Sequence, residues 1–459
     1  MQRRQFIKNT ILTAGSGLVL TNCASSDNPT PDNQPEYDGK VAIIGAGAAG
    51  LYAGFLLKQK NVAFTIFEAS DVIGGRVRAL KGFADYDIEL GAEEINGKKS
   101  VWYDIVKAAN PTFIDDSKNV DYFQIGTAFR NEDLWKTDPD FNSAINLVNQ
   151  ATSYVGTDIT LQQFMDNNRL PARVQPIVNA KIANKSGGAA NKLSVKGITE
   201  EAQVRSAGDD NVMIGGKTFL GIMQDKFKEV VPNVKLSTPI VAIDYNAQTI
   251  LLQDAAGNKL PFDKVIVTVP LTILQTNGIV FSPALPIAKT TALTKIGMAS
   301  GLKIAMNFSK AFWAANTSSI YGTGTVPEFL VSSNGRSTQN FVLTGFITGS
   351  KADTLAARGT NIVSTVMAEL DAMYGRGVAS GLLKNAVVTD WTKEPYIRGA
   401  YSYPIVGGGL LFRQDLSQPV QRKVYFAGEA THYGGHSGTV HGAMESADRA
   451  VGELIKESK

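Results

Sequence analysis

The stretch Val41-Ala-Ile-Ile44, followed directly by Gly45-Ala-Gly47-Ala-Ala-Gly50, decides the fold class. Its first four residues are apolar and predict a short buried β-strand, and the glycines after it have the spacing GxGxxG. In such a unit Gly45 allows a tight turn, Gly47 lets a pyrophosphate approach the backbone, and Gly50 lets a helix pack closely on a strand. We expect this helix at 51–58, so that its free N–H groups point at the phosphates.

An acidic residue ends the unit at the expected distance. A second strand is predicted at 62–67, and Glu68 follows it 18 residues after Gly50. A carboxylate at this place can accept hydrogen bonds from both hydroxyls of an adenosine ribose, and it would repel a 2′-phosphate. A glycine triplet between a strand and a helix, with an acid at this spacing, is typical of a dinucleotide-binding Rossmann unit. The sequence therefore predicts an α/β fold.

Length and composition exclude several other classes. The chain has 459 residues, of which 44% are hydrophobic and 19% charged, and these are ordinary values for a globular protein with a large core. Lys and Arg number 45 and Asp and Glu 42, so the net charge of +3 does not point to a nucleic-acid partner. Cys23 is the only cysteine, which excludes an intrachain disulfide framework and a multi-cysteine metal site.

Residues 1–23 predict an export signal. Arg3, Arg4 and Lys8 precede an apolar run at 11–20 that is too short to span a bilayer. The pair Arg3-Arg4, followed by Gln-Phe, resembles a twin-arginine signal, which carries folded proteins with their cofactors. We therefore expect an exported protein in the periplasm or cell envelope.

The end of this segment leaves two alternatives. Leu20-Thr-Asn22-Cys23 resembles a bacterial lipoprotein cleavage site, which implies membrane attachment through a lipidated Cys23. Asn22 differs from the small residue usual before the cysteine, so a plain cleaved signal is the alternative. Residues 24–39 are rich in Ser, Asn, Asp and Pro, which predicts a flexible linker.

Motifs along the rest of the chain resemble the flavin-containing amine oxidase family. The turn Gly74-Gly75-Arg76 follows Glu68 closely, and an arginine offers a fixed fork of donors that suits a diphosphate. The segment Glu89-Leu-Gly-Ala92 resembles the family segment beside the flavin ring. Further segments that resemble the family, in its order, are 213–216, 240–241, 263–271, 391–402, 425–429 and 440–443.

This resemblance implies FAD as the cofactor and a Rossmann-type FAD-binding domain with a discontinuous α+β substrate domain. The FAD is expected to be noncovalent, because Ala400 stands where relatives with a tethered flavin have a cysteine. The FAD-binding domain is expected at 40–100, 211–285 and 386–459, and the substrate domain at 101–210 and 286–385. The expected cofactor-binding residues are Gly45, Gly47, Ala49, Gly50, Glu68, Gly75, Arg76, Val241, Trp391, Gly428, Glu429, Thr439 and Val440.

Two residues are expected to act on the substrate side of the flavin. Tyr401 matches a family aromatic residue that faces the substrate amine, whereas the second ring of the aromatic cage corresponds to Thr439, so the cage is open on one side. Lys303 matches a family lysine that contacts flavin N5 through water and assists reoxidation by oxygen. On spacing alone Lys303 lies in the alternating strand 301–308, on the face opposite Leu302, and could equally face solvent.

No metal site is expected at the three histidines His432, His436 and His441. The glycines between the first two break the helix that would align their rings, and no cluster of acids or cysteines joins them. The same segment is already accounted for by its resemblance to a flavin-binding motif.

The family chemistry is the oxidation of a small-molecule amine. Hydride leaves the carbon beside the amine for the flavin, water hydrolyses the imine, and O2 is reduced to H2O2. An L-amino-acid oxidase or a tryptophan 2-monooxygenase-like enzyme is the first alternative, although Glu93 and Glu94 would repel a carboxylate and could instead attract a second ammonium group. A desaturase- or protoporphyrinogen-type flavoenzyme and a flavin-bearing scaffold protein are further alternatives.

Overall fold

The computed structural model describes residues 34–208, 210–336 and 338–458. The predicted export signal at 1–23 lies outside the described residues, as does the predicted linker up to residue 33. The described chain from Pro35 onward forms one compact unit.

Most of the strands in the described residues are short. The strands are β1 Val41–Ile44, β2 Phe64–Phe67, β3 Ala79–Leu80, β4 Ile88–Glu89, β5 Ile95–Asn96, β6 Thr112–Ile114, β7 Val120–Ile125, β8 Ala128–Asn131, β9 Asn211–Gly215, β10 Val234–Lys235, β11 Ile240–Asp244, β12 Ile250–Asp254, β13 Lys259–Phe262, β14 Lys264–Val267, β15 Val280–Ser282, β16 Ile296–Met298, β17 Gly301–Phe308, β18 Thr317–Tyr321, β19 Glu328–Leu330, β20 Phe341–Thr348, β21 Leu383–Asp390, β22 Ser402–Pro404 and β23 Val424–Phe426.

Helices connect these strands and cover the sheets. The α-helices are α1 Ala48–Gln59, α2 Val101–Ala108, α3 Glu132–Trp135, α4 Pro139–Gln150, α5 Leu161–Asn167, α6 Gln175–Val178, α7 Val195–Val204, α8 Phe219–Lys226, α9 Leu271–Gln275, α10 Ile287–Lys295, α11 Gly349–Ala356, α12 Ile362–Tyr374, α13 Val378–Leu382, α14 Leu410–Ser417 and α15 Val440–Lys456, and Asn179–Asn184 continues α6 as a π-helical turn. Within the described ranges, no helix combines the length and the apolar character needed to cross a bilayer.

A parallel five-stranded sheet forms the first layer. Its order is β10-β2-β1-β14-β23, and all of its pairs are parallel. Because successive side chains of a strand point to opposite faces, Val41 and Ile43 pack against α1 and α15, whereas Ala42 and Ile44 pack into the apolar cluster of β11, β12 and β14. All four residues are buried, as expected for a strand covered on both faces. The predicted α/β class is confirmed.

A second, seven-stranded sheet carries the other half of the molecule. Its order is β21-β17-β20-β19-β18-β7-β8, and β17 pairs antiparallel with β20 and β21. The alternation predicted for β17 is confirmed: Leu302, Ile304 and Met306 pack into an apolar cluster with α12. Lys303 is also buried, so the alternative of a solvent-facing lysine is wrong.

The two sheets follow the predicted division of the chain, with one departure. The five-stranded sheet takes its strands from 40–100, 211–285 and 386–459. Six strands of the seven-stranded sheet come from 101–210 and 286–385, whereas β21 begins at Leu383 and crosses the predicted boundary at 386. Because the chain from Pro35 onward packs as one unit, the two-domain division itself stays a prediction.

Candidate functional site

A cavity of about 1230 Å³ lies at the carboxyl ends of the parallel strands. Its wall includes Gly45 after β1, Glu68 after β2, Thr268 after β14 and Gly428 after β23. Ligands of open α/β sheets bind at this edge. The volume exceeds the range of about 300–1,000 Å³ that is usual for small-molecule pockets, so the cavity has room for an extended cofactor and a substrate.

The conformation of the first turn requires glycine at Gly45 and Gly50, whereas Gly47 leaves space for a ligand. Gly45 has a φ of +107°, and its N–H donates to the Phe67 carbonyl at 2.8 Å. A Cβ on Gly50 would lie 1.8 Å from the Gly45 carbonyl oxygen, so the protein itself requires glycine there. A Cβ on Gly47 would meet nothing closer than 4.0 Å, at Gly74 and Gly75. The space at Gly47 is therefore a cradle that a ligand can enter.

Glu68 is held in place by the turns on either side of it. Its Oε2 accepts a hydrogen bond from the Ala46 N–H at 2.7 Å, and its Oε1 accepts from the N–H and the hydroxyl of Ser70, each at 2.9 Å. A carboxylate offers about four lone-pair positions, so about one remains for a ligand hydroxyl. The position, buried at the cavity wall, fits a contact with one ribose hydroxyl, whereas the sequence analysis expected contacts with both.

Arg76 and Glu429 join the first and last motifs of the chain. Arg76 Nη1 lies 3.0 Å from Glu429 Oε1 and donates to the Ala400 carbonyl at 2.8 Å. Glu429 is 4% exposed, and it also accepts from the N–H and hydroxyl of Ser402 and from the Gly438 N–H. Arg76 is the arginine expected to bind a diphosphate. Its Nη1 instead contacts the Glu429 carboxylate, and its side chain still lines the cavity.

Arg413 is a second arginine in this cluster, and it was not predicted from the sequence. Arg413 on α14 is buried, with Nε 3.1 Å from Glu201 Oε1 and Nη1 donating to Ser402 at 2.7 Å. Burial alone would raise the pKa of Glu429, but Arg76, Arg413 and the hydrogen bond from Ser402 outweigh it and hold that pKa below its usual range. Arg413 stands in no recognisable motif, so no sequence signal could have found it.

The other predicted cofactor residues lie along the same wall, with one exception. Gly50 does not line the cavity, because it packs α1 against the turn at Gly45 instead. Thr439 caps α15 by accepting from the Gly442 N–H at 2.9 Å. The wall includes Gly45, Gly47, Ala49, Glu68, Gly75, Arg76, Val241, Trp391, Gly428, Glu429, Thr439 and Val440. Their individual contacts to a cofactor stay predictions.

Lys303 reaches the cavity in a buried ion pair. Its Nζ lies 2.6 Å from Glu93 Oε2, and the two side chains are 3% and 7% exposed. It also donates to the Gly91 carbonyl at 3.3 Å. Lys303 and the Ser332 hydroxyl each donate to one oxygen of Glu93, so of the two acids expected to attract an ammonium group, Glu93 already has a cation as partner, and its contact with a substrate stays a prediction. The partners are 210 residues apart, and no local pattern indicates the pair.

Tyr401 borders the cavity together with a ring that the sequence did not reveal. Its hydroxyl donates to the Lys185 carbonyl at 2.7 Å, and burial raises its pKa, so it acts as a neutral ring. Phe346 stacks almost parallel to it, with centroids 6.2 Å apart and an angle of 11°. Phe346 lies opposite Lys303 in the pairing of β20 with β17. The sequence predicts an aromatic cage that is open at Thr439. In the structure, Phe346 on β20 is a second ring beside Tyr401.

Charged groups surround this end of the cavity. Lys185 Nζ lies 3.4 Å from Glu328 Oε1, which also accepts from the Tyr321 hydroxyl, and Glu328 raises the pKa of Lys185. Glu94 also lines the cavity, and burial raises its pKa. Two lysines, Lys185 and Lys303, lower the pKa of Glu94 through their charge, but each of them already forms an ion pair with another acid. A cationic group of a ligand would therefore find a carboxyl group in Glu94.

The three histidines lie close together at the start of α15, and Glu445 lies beside them. The expectation that no acid joins the histidines is therefore wrong. His432 Nε2 lies 2.9 Å from Glu445 Oε2. The possible ligand atoms of His436, His441 and Glu445 lie within 4.8 Å of one another. Burial lowers the pKa of His436 to about 4 and that of His441 to about 3, so both rings are neutral at pH 7. The spacing of His441 and Glu445, four residues apart on one helix, was the missed signal.

Backbone hydrogen bonds nevertheless assign protons to two of these rings. The N–H groups of Gly434 and His436 donate to His432 Nδ1, so the His432 proton sits on Nε2, toward the acid. The N–H groups of Ser206 and Ala207 donate to His436 Nε2, so its proton sits on Nδ1. A metal-bound imidazole usually donates from its second nitrogen. Of these two rings only His436 belongs to the group of possible metal ligands, and its Nε2 accepts instead. The absence of a metal stays a prediction, and these bonds favour it.

Comparison with known proteins agrees with this geometry. Lysine-specific histone demethylase 2 of Homo sapiens is 26% identical over 487 residues, which cover 99% of this chain and 56% of the demethylase. Polyamine oxidase 4 of Oryza sativa subsp. japonica is 26% identical over 457 residues, which cover 93% of this chain and 91% of the oxidase. The chain thus spans just over half the length of the demethylase.

Solved structures share the fold. Wild-type putrescine oxidase bound to putrescine is 17% identical, with a TM-score of 0.75 over 91% of this chain and 99% of the oxidase. Cyclohexylamine oxidase from Brevibacterium oxydans IH-35A is 20% identical, with a TM-score of 0.77 over 92% and 99%. The family model for flavin containing amine oxidoreductase matches residues 48–455. This match implies a flavin cofactor, and the chain belongs to the flavin-containing amine oxidoreductase family.

Proposed function

We propose that this protein is a FAD-dependent amine oxidase. A bound flavin would accept hydride from the carbon beside the amine, water would hydrolyse the imine, and O2 would be reduced to H2O2. The observation that carries this function is the continuity of the cavity: the cradle at Gly47 and the end lined by Tyr401, Phe346 and Glu94 belong to one space. A cofactor held in the cradle therefore extends toward an aromatic, acid-lined chamber.

The cofactor is FAD, bound without a covalent bond. When bound, FAD supplies the hydride acceptor and passes the electrons on to O2. Glu68 would hold the ribose of the adenosine, and the turn at Gly47 with the N-terminus of α1 would hold the pyrophosphate. Ala400 offers no sulfur for a tether, and Cys23, the one cysteine of the sequence, lies in the predicted export signal.

The residues of the chamber bind and orient the amine. An alkylammonium has a pKa near that of lysine, about 10, and it must lose its proton before it can react. The rings of Tyr401 and Phe346 exclude water and favour the neutral amine by desolvation. Because burial raises the pKa of Tyr401, its hydroxyl stays protonated and serves to fix the ring.

Glu94 favours a substrate with a second ammonium group. Within the described residues Lys185 and Lys303 are each paired with another acid, so an entering ligand cation would not compete with either lysine for Glu94. The same carboxyl group, next to Glu328, opposes the carboxylate of an amino acid. We therefore infer a diamine or polyamine rather than an L-amino acid.

An anaerobic titration of the purified protein tests this function. Primary monoamines, diamines and L-amino acids are added in turn, and loss of the visible absorbance of the oxidised flavin is followed. Diamines are expected to bleach the flavin fastest, and admission of O2 should restore the colour with one H2O2 per turnover. Bleaching by amino acids alone would contradict the substrate class, and no bleaching by any amine would contradict the function.

Export remains part of this proposal. It is supported by Arg3-Arg4, the apolar run at 11–20 and the sequence around Cys23. Fractionation of cells that express the full chain, with Cys23→Ala and with both arginines changed to lysine, separates the alternatives. A lipid anchor requires Cys23 for membrane recovery, whereas a plain signal does not. Retention of the double-lysine variant inside the cell is expected if the route is twin-arginine export.

A further inference from the structure

The two rings at the aromatic end are tied together by a buried side chain that does not itself line the cavity. We propose that Asn184 is a positioning residue that joins Tyr401 and Phe346 into one rigid unit, and that this unit orients the amine for its reaction. This role rests on the proposed function, because it concerns the step in which the amine reduces the flavin.

Asn184 is the last residue of the π-helical turn that continues α6. Such turns occur often at functional sites, and here Lys181, Ile182 and the following residue Lys185 line the cavity. Asn184 is buried, with 3% of its surface exposed. The last carbonyl groups of a helical segment have no partner further along that segment, so they are available to other parts of the chain.

The side-chain amide of Asn184 pairs with β20. Its Nδ2 donates to the Phe346 carbonyl at 3.0 Å, and its Oδ1 accepts from the Thr348 N–H at 2.8 Å. The pairing of β19 with β20 ends at Glu328 and Phe346. Because an amide offers both a donor and an acceptor, Asn184 continues this pairing as the next residue of a strand would. The end of β20 that carries Phe346 is thereby fixed.

The hydroxyl groups of Thr348 and Tyr401 bind the main chain at the same place. Thr348 precedes α11, but its hydroxyl does not cap that helix and instead donates to the Asn184 carbonyl at 2.9 Å. The Tyr401 hydroxyl donates to the next carbonyl, that of Lys185, at 2.7 Å. Two successive residues thus bind β20 on one side and Tyr401 on the other.

The ring of Tyr401 is confined along one edge by backbone. A Cβ at Gly187 would lie 2.6 Å from its Cε2, and a Cβ at Gly438 would lie 2.8 Å from its Cδ2. Both glycines have positive φ, of +79° and +72°. Two glycine turns therefore contact the ring closely, and the bond to Lys185 fixes its hydroxyl end.

A fixed pair of rings helps the amine to react. The rings are inclined by 11° with their centroids 6.2 Å apart. Hydride transfer requires the carbon beside the amine in one orientation, and a misplacement of about 1 Å can slow a reaction by about 100-fold. Loss of the Asn184 amide would free the two rings from each other. Reduction by an amine should then slow, whereas reoxidation by O2, which involves no amine, should not.

Separate measurement of the two half-reactions tests this role. Wild type and Asn184→Ala, each with bound flavin, are mixed anaerobically with n-butylamine in a stopped-flow instrument, and the reduced proteins are then mixed with O2. The limiting rate of reduction is expected to fall about 10-fold in the variant, whereas flavin content and reoxidation stay within about 2-fold of wild type. An unchanged limiting rate, or an equal loss in both half-reactions, would overturn the role.

Asn307→Ala is the matched control. Asn307 on β17 is also a buried asparagine, and its Nδ2 donates to the Phe83 carbonyl at 3.3 Å and to Asn340 Oδ1 at 2.9 Å. It does not line the cavity. Both substitutions remove buried hydrogen bonds and should lower the Tm of the flavin-free protein, but only Asn184→Ala should slow reduction. A similar slowing in Asn307→Ala would contradict a specific role for Asn184.

Asn184→Asp provides a rescue that depends on pH. A protonated carboxyl group can donate to the Phe346 carbonyl and accept from the Thr348 N–H, whereas a carboxylate can only accept. The limiting rate of reduction relative to wild type is therefore expected to be highest at low pH and to fall as the carboxyl group ionises. A relative rate as low as that of Asn184→Ala at every pH, or one that rises with pH, would contradict the role. If Asn184→Ala does not fold, this variant decides.

Failure of the proposed function would give a different result. If no amine reduces the wild type, that function is wrong, and binding then tests the positioning role. The Kd of n-butylamine for the oxidised protein is read from the perturbation of the visible flavin spectrum. It is expected to rise about 5-fold in Asn184→Ala, because a preorganised site binds more tightly. Equal Kd values in the two proteins would overturn the role of Asn184.

Discussion

The nucleotide end of the cavity and its aromatic end are built in different ways. At the nucleotide end, Gly45, Gly47 and Glu68 lie within 24 residues of one another and act through turns and backbone N–H groups. At the aromatic end, Glu94, Phe346 and Tyr401 come from segments that are far apart in the chain and act through their side chains. The first end is set by local conformation, and the second by the packing of distant strands.

This difference determines what a substitution can reveal. A local turn binds through the backbone, so a substitution there changes either the space for the ligand or the turn itself. An end built from distant side chains binds through charge and shape, so a substitution changes affinity for one class of ligand while the fold persists.

Gly47→Ala should remove the flavin and leave the fold intact. Its Cβ fits against the protein, with nothing closer than 4.0 Å, but it occupies the cradle that a pyrophosphate needs. We expect flavin affinity to fall by about 100-fold or more, whereas the Tm of the flavin-free protein should stay close to that of wild type. Absorbance of the purified protein and thermal unfolding measure the two effects.

Gly50→Ala is the matched control at the same turn. Its Cβ would lie 1.8 Å from the Gly45 carbonyl oxygen, so we expect a loss of about 3 kcal/mol or more in the free energy of unfolding of the flavin-free protein. If Gly47→Ala destabilised the flavin-free protein as much as Gly50→Ala does, the space at Gly47 would not be a ligand cradle.

The same contrast explains what the sequence could predict. Local backbone geometry determines where Gly45, Gly47, Gly50 and Glu68 must stand in a strand–turn–helix unit. The sequence therefore predicted the strand, the turn and the helix, although α1 begins three residues before the predicted start at 51. The alternation of β17 was also readable, because a strand has a period of two.

The partners at the aromatic end had no such signal. Glu93 meets Lys303, and Phe346 lies beside Tyr401, only because separate strands are brought together in space. Periodicity describes a residue's face but not its partner across a sheet or cavity. The sequence therefore could not tell whether Glu93 or Glu94 attracts an ammonium group, and in the fold Glu93 pairs with Lys303.

Glu429→Gln tests the cluster of Glu429, Arg76 and Arg413, which joins the first and last motifs of the chain. It removes a buried charge between Arg76 and Arg413, and we expect the free energy of unfolding to fall by about 3–5 kcal/mol at pH 7. Because the pKa of Glu429 is lowered in the folded state, its stabilisation is present above about pH 4.5 and is lost as the pH falls. Urea unfolding of the flavin-free proteins at pH 7 and at lower pH measures both effects.

Glu453→Gln is the control for this variant. Glu453 pairs with Arg449 on α15 at 2.9 Å, and because the side chain of Glu453 is 28% exposed whereas that of Glu429 is 5% exposed, its loss should cost less than the loss of Glu429. A loss in Glu429→Gln as small as that in Glu453→Gln, or a difference from wild type that grows toward acid pH, would contradict the assignment.

Glu94→Gln should change selectivity rather than stability. Loss of the carboxylate is expected to raise KM for a diamine by about 10-fold, the effect of one charged hydrogen bond. KM for a monoamine of similar length should change little, because that substrate has no second ammonium group, and it serves as the internal control. Initial rates of H2O2 formation measure both constants, and a parallel rise for the two substrates would show that Glu94 shapes the chamber instead.

Glu89→Gln should change how stability depends on pH. Burial raises the pKa of Glu89 to about 8 from its ordinary 4.5, so between these values the folded state holds a proton that the unfolded state has lost. Wild-type stability therefore falls with rising pH across this window by up to about 1.4 kcal/mol per pH unit from this group. An amide does not titrate, so the variant should gain on wild type from pH 5 to pH 8 in urea unfolding. A constant difference across that range would show that Glu89 is ionised in the folded protein, in which case the wall behind Lys303 carries a second negative charge.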